Sequence, residues 1–127
     1  MSSPLFLTLD QIILFHRKGL DLFGGTDGIR DEGALQSAVA QSLQVYFYEN
    51  GDLFDIASSY CFHIAQAQAF LDGNKRTAVA AGLTFLKLNG IDTSVDITLQ
   101  FHEAMIQIAN QQINRKELAH LLRKWLS

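Results

Sequence analysis

Proline occurs once in these 127 residues, at position 4. It is the residue that most strongly interrupts helices, so the rest of the chain is free to be helical almost end to end. Start signals divide that length. Thr8-Leu9-Asp10-Gln11 has the form of a capping box, and a helix is expected to follow to about Lys18 or Phe23. Asp31 can cap a second helix through about Gln41, and Asp52 a third over LFDIASSYCFHIAQAQAFL. In the third, Leu53, Ile56, Ala57, Tyr60, Ile64, Ala67 and Leu71 recur at helical spacing and form one apolar face. A fourth helix is expected from about Asn74 to Leu88, stopped by Asn89-Gly90. Val79, Leu83, Phe85 and Leu86 make it apolar nearly all round, which is the mark of a central helix. A fifth spans roughly Ile97 to Asn110. Asn114 to Glu117 can cap a sixth, with Leu118, Leu121, Leu122 and Trp125 inward. PLFLT is at most a short strand. The expected architecture is all-α: residues 1–127 as one domain, about six helices around a central apolar one, with no repeat or low-complexity segment.

At 48% hydrophobic the chain can bury a core, and its length suits one domain. Ten Lys and Arg against 13 Asp and Glu leave a formal net charge of -3, which argues against a general nucleic-acid binder. A single cysteine, Cys61, rules out an intrachain disulfide and suits a cytoplasmic setting; in mid-helix it reads as a small buried hydrophobe. The N-terminal MSSPLFLTLD has no basic region ahead of its apolar residues, so no signal peptide is expected. The apolar stretch Ala78 to Leu86 is far shorter than the ~18–20 residues of a membrane helix.

Chemistry concentrates in Asp72-Gly73-Asn74-Lys75-Arg76, where the third helix ends and the fourth begins. The first N–H groups of a helix lack internal partners and sit at the positive end of its dipole, so that end binds anions, phosphate above all. Gly73 permits close approach of a ligand to the backbone. Lys75 and Arg76 add positive charge, and arginine can grip phosphate oxygens in pairs. Asp72 can cap the helix or help hold a Mg²⁺ that bridges phosphates, and Asn74 can donate to a phosphoryl oxygen. The plain alternative is a turn and cap with two solvated cations. Cations in a first turn oppose the helix dipole, however, so stability alone does not select them.

Phe70 to Thr77, F-x-D-G-N-K-R-T, resembles the core motif of the Fic/Doc family, H-x-F-x-D-G-N-K-R-T in its Doc (death-on-curing) branch. The adenylylating Fic branch instead reads H-x-F-x-D/E-G-N-G-R with a further arginine downstream. Lys75 in place of the second glycine, and Val79 where that arginine would fall, align this chain with Doc. GIRDEGALQSAVAQ (Gly28 to Gln41) and TFLKLNG (Thr84 to Gly90) extend the similarity over most of the chain. The resemblance implies an all-α Fic fold and a toxin paired with a Phd-like antitoxin. It also implies transfer of the γ-phosphate of ATP to a hydroxyl of elongation factor Tu, halting translation. Position by position, it implies that Asp72 helps bind Mg²⁺, that Gly73 and Asn74 form the anion-binding turn, that Lys75 and Arg76 hold phosphates, and that Phe70 anchors the motif in the core.

At the position of the family's histidine stands Gln68. That histidine serves as general base toward the target hydroxyl, and a neutral amide cannot accept the proton. Losing a general base costs ~10²–10⁴ in rate, although Gln68 can still orient a hydroxyl. His63 is a poor replacement: five residues earlier on a helix means about 140° of rotation and about 7.5 Å of rise. His16, His102 and His120 have no ligand-like spacing with carboxylates or Cys61, so no zinc site is expected. Arg30-Asp31 reads as surface charge and cap, with the border of a cleft as the alternative. The basic face of Asn114 to Trp125 reads as solvated. The function reading is therefore an impaired Doc-like phosphotransferase. The alternatives are a Fic-fold pseudoenzyme that binds nucleotide or antitoxin without transfer, an AMP-transferring Fic-type enzyme, and a helical interaction protein.

Overall fold

The computed structural model describes residues 3–127; Met1 and Ser2, the first two residues of the expected domain, lie outside the described residues. Six helices follow in order: α1 (Leu9–Phe23), α2 (Glu32–Glu49), α3 (Leu53–Ala67), α4 (Asn74–Leu88), α5 (Thr98–Ala109) and α6 (Arg115–Leu126). Helix α1 starts with the capping box, Thr8 Oγ1 accepting from Gln11 N–H and Gln11 Oε1 from Thr8 N–H, and it runs to Phe23. Asp52 with Asp55, and Asn114 with Glu117, close the same reciprocal pair at α3 and α6. Asp31 caps α2 through Ala34 N–H. Among the described residues no strand forms. PLFLT is instead an irregular segment hydrogen-bonded at two points, Leu5 to the Asn89 amide and Leu7 to the Tyr60 hydroxyl. Burial pushes that hydroxyl up to about 12.

Three expectations need correction. Helix α2 does not stop at Gln41 but continues to Glu49, where Asn50 turns left-handed; Leu35, Ala38, Ser42 and Val45 keep its buried stripe going. Helix α3 ends at Ala67, not Leu71, because Gln68 adopts φ 45°, ψ 44° and turns the chain out of the helix. Leu71 consequently leaves the apolar face and is 51% exposed. The helix at the centre is α3, which packs against α2, α4, α5 and α6 and buries Ile56, Ala57, Tyr60, Cys61 and Ile64. Helix α4 lies beside it with α1 on its other side, and its Val79 and Leu83 are only half-buried.

Core side chains from α1 to α6, with Phe70 and Ala69 from the connection before α4, form one hydrophobic cluster. Burial raises the Cys61 thiol far above its ordinary range, consistent with a packed hydrophobe. Two of the α6 cations are paired: Arg115 with Glu49 at 2.7 Å and Arg123 with Asp52 at 2.8 Å. These partly exposed pairs contribute little to stability, but they take charge away from any nucleic-acid surface on that helix. No helix among the described residues is long and apolar enough to cross a membrane.

Candidate active site

The α3–α4 connection is held from behind by a segment some forty residues earlier. Ala69 carbonyl accepts from the N–H groups of Arg30 and Asp31, Leu71 N–H donates to Gly28 carbonyl, and Ile29 and Phe70 form an isolated antiparallel bridge. Arg30 reaches across to donate to the Gln68 carbonyl at 2.7 Å, at the C-terminus of α3 where a cation is favoured. Asn74 closes the turn from within. Its Oδ1 accepts from Phe70 N–H at 3.0 Å and its Nδ2 donates to Phe70 carbonyl at 2.9 Å. The amide thus holds both backbone groups of the residue four positions earlier. Phe70 itself is fully buried.

Gly73 is the N-cap of α4, with φ 78°, and no side chain caps the helix. No acidic residue lies in its first turn. Asp72 turns its carboxylate the other way: Oδ1 accepts from Gly73 N–H at 2.8 Å and Oδ2 from Thr26 N–H at 3.3 Å. A side chain at Gly25 would put its Cβ 2.6 Å from that Oδ2, so the glycine-rich loop lies directly against the acid. Arg76 curls back over the N-terminus of its own helix. Its Nη2 donates to Gly24 carbonyl at 2.9 Å, and its guanidinium lies 5.5 Å from the centre of the Phe23 ring. Glycine at 73 is favoured by the left-handed backbone, and a Cβ there would lie 2.9 Å from Arg76 Nη2 and displace the guanidinium. Among the described residues, Arg76 Nε is the one buried side-chain nitrogen or oxygen without a hydrogen-bond partner. The turn therefore combines an uncapped helix end, two cations and an unused donor, which suits an oxyanion.

Gln68, Asp72, Gly73, Asn74, Lys75 and Arg76 all line one open cavity of about 420 Å³, with Ala65 and Leu71. The sequence-selected residues are thus together. Lys75 and Arg76 also border a larger neighbouring groove of about 700 Å³, walled by apolar side chains that include Phe23, Val79, Leu83, Phe101, Met105 and Ile106. His63 lies outside the cavity lining. It is half-buried on α3 and edge-on to Phe62; burial lowers its pKa, Arg115 lowers it further and Glu49 opposes. Arg30, for which surface charge is the first reading of the sequence and the border of a cleft the alternative, supports residue 68. His16 on α1, considered in the sequence only as a metal ligand, reaches the Asp72 carbonyl. The only sequence signal for His16 is a polar residue four positions after Ile12 on the buried face of α1.

The fold is an all-α one with a glycine-backed turn at the N-terminus of α4, and the family follows from comparison. The model of the Fic/DOC family matches residues 6–86, and the chain belongs to that family. Its relatives are of the Doc type. "Protein kinase doc" of Escherichia phage P1 is 28% identical over 116 residues, covering 91% of this chain and 90% of its own. "Toxin Doc" of Mycolicibacterium smegmatis is 33% identical over 100 residues, 76% of this chain and 77% of its own.

Proposed function

We propose that this protein is a Doc-like toxin of a toxin–antitoxin pair, built to bind ATP with Mg²⁺ at the α4 N-terminal turn and weakened in transfer by Gln68. The observation that carries the reading is the uncapped α4 N-terminus beneath Arg76, whose buried Nε has no partner. Bound ATP would supply the γ-phosphoryl group, and Mg²⁺ would offset phosphate charge. The first N–H groups of α4, Lys75 and Arg76 hold the phosphates. Asp72 offers the carboxylate for the metal; one carboxylate plus phosphate oxygens is an ordinary Mg²⁺ set. Asn74 keeps the turn closed. Gln68 can hydrogen-bond the hydroxyl of a protein substrate, elongation factor Tu in this reading, but cannot take its proton.

Calorimetry with ATP and Mg²⁺ tests the turn. Arg76→Ala is expected to weaken binding by about 1.5–3 kcal/mol, the size of a lost charge-assisted contact. Equal affinity in the two proteins would remove Arg76 from the site.

The apolar groove beside Arg76 supports the antitoxin half of the reading. Half-buried Val79 and Leu83 on α4 face Phe101, Met105 and Ile106 on α5, and an amphipathic helix that folds on binding suits such a trough. Co-expression with the neighbouring small open reading frame should yield a stable complex, lost in Leu83→Glu. If the wild-type chain captures nothing from that reading frame, the toxin–antitoxin pairing is wrong.

A binding module without transfer remains the second reading, and a specific observation favours it. Gln68 stands exposed in the cavity at the base position, with no titrating side chain in its place.

A further inference from the structure

His16 is a buried imidazole, 4% exposed, that the phosphate chemistry does not use. It projects from α1, and its Nε2 lies 2.8 Å from the backbone oxygen of Asp72. A carbonyl oxygen only accepts, so Nε2 must carry the proton. The ring is also stacked on Phe70, centroids 3.8 Å apart and planes within 7°. One side chain from a distant helix thus touches two members of the motif turn, Phe70 through its face and Asp72 through its edge.

We propose that His16 is a positioning residue for the phosphate-binding turn, setting the Asp72–Gly73 peptide and through it the Asp72 carboxylate. The peptide unit is planar and trans, so holding the Asp72 oxygen toward α1 fixes the opposite direction of the Gly73 N–H. That N–H donates to Asp72 Oδ1 at 2.8 Å. The orientation of the carboxylate therefore depends on the peptide that His16 holds. Stacking on Phe70 fixes the ring, and Phe70 is in turn clasped at N–H and carbonyl by Asn74. Without the His16 donor, the Asp72 oxygen loses its partner and the peptide gains freedom to rotate. The carboxylate and the first N–H of the turn then lose their shared alignment. The role rests on the nucleotide reading above for its purpose, but not for its geometry.

Two substitutions separate ring from donor. His16→Phe keeps a flat ring against Phe70 and removes the N–H. His16→Gln removes the ring and keeps an amide N–H at about the reach of Nε2. Calorimetry with ATP and Mg²⁺, well below each variant's unfolding temperature, should show about tenfold or greater weakening in His16→Phe and substantial recovery in His16→Gln. Amide hydrogen exchange supplies a readout without nucleotide. Phe70 and Leu71 should exchange about tenfold faster or more in His16→Phe, with Leu118 in α6 unchanged, and recover in His16→Gln. A merely space-filling histidine would lower the unfolding temperature in both variants yet leave folded-state affinity and turn exchange alone, and that result would overturn the proposal. Should wild type bind no nucleotide, the ATP reading falls while the exchange data still decide the role of His16. The unsubstituted protein gives the last check, independent of whether either variant folds. Imidazole ¹⁵N shifts must show a proton on Nε2, and a ring protonated on Nδ1 alone ends the proposal.

Discussion

Gln68→His is expected to raise phosphotransfer to elongation factor Tu by ~10²-fold or more, the scale of a restored general base. Histidine has its pKa near neutrality, whereas the amide of Gln68 has no useful basicity. The backbone favours the exchange. Residue 68 sits in the left-handed region at φ 45°, where histidine is among the residues found more often than most, and its side chain is exposed toward the cavity. No core contact is lost and no hydrogen bond is broken, because Arg30 binds the backbone carbonyl rather than the side chain. Transfer is measured with radiolabelled ATP and purified elongation factor Tu, and expression in bacteria should arrest growth. Asp72→Asn in the same background should abolish the gain. It retains an oxygen for the Gly73 N–H while removing the charge that Mg²⁺ needs, so the loss would report on metal binding more than on the turn. If Gln68→His folds, binds ATP and transfers nothing, the kinase reading is wrong, and a Fic-fold binding module describes the chain better.

The motif was legible because its chemistry is contiguous: five adjacent residues at a helix junction mark a cluster that the fold gathers at one cavity. What lies behind them was not legible. The glycine-rich segment supports the turn chiefly through backbone groups, Gly28 carbonyl to Leu71 and the N–H groups of Arg30 and Asp31 to Ala69, and such bonds leave no side-chain signature. The end of α3 was hidden for a related reason. Ala69, Phe70 and Leu71 prolong the apolar pattern, yet after the left-handed Gln68 they pair with another segment instead of completing a helical turn. Capping chemistry located the starts of α1, α2, α3 and α6 because each cap is a local side-chain event. The stop of α2 at Asn50-Gly51 carried a similar local signal, but Leu43, Val45, Tyr46, Phe47 and Tyr48 before it are apolar on several sides, with Leu43, Phe47 and Tyr48 exposed, so they mark no single helical face. An apolar circumference also misplaced the centre of the fold. Val79 and Leu83 make α4 look fully enclosed, but they line an open groove, and the enclosed helix is α3. Periodicity measures how much of a helix is apolar; it does not tell a core contact from a surface reserved for a partner.

Phe70→Ala is expected to cost about 3–5 kcal/mol of folding free energy, the range for deleting a fully buried aromatic ring. Against a typical total of about 5–15 kcal/mol, that leaves the domain near or below the threshold of folding. The upper part of the range is favoured by geometry. The ring is completely buried, its removal leaves His16 without its stacked neighbour, and the backbone on either side is tied to the Asn74 amide and the Ile29 bridge, which limits collapse into the cavity. Urea titration, with the slope compared to wild type, measures the loss. Phe85→Ala provides the contrast. Phe85 is equally buried, but on α4 against Tyr60 and Phe6, on the far side from the turn. Both substitutions should destabilise by similar amounts, but only Phe70→Ala should also weaken ATP and Mg²⁺ binding in the molecules that remain folded. A loss below about 1 kcal/mol at Phe70 would mean that the ring is not the anchor of the turn. Equal nucleotide affinity in the two variants would mean that anchoring in the core and alignment of the phosphate site are separate matters.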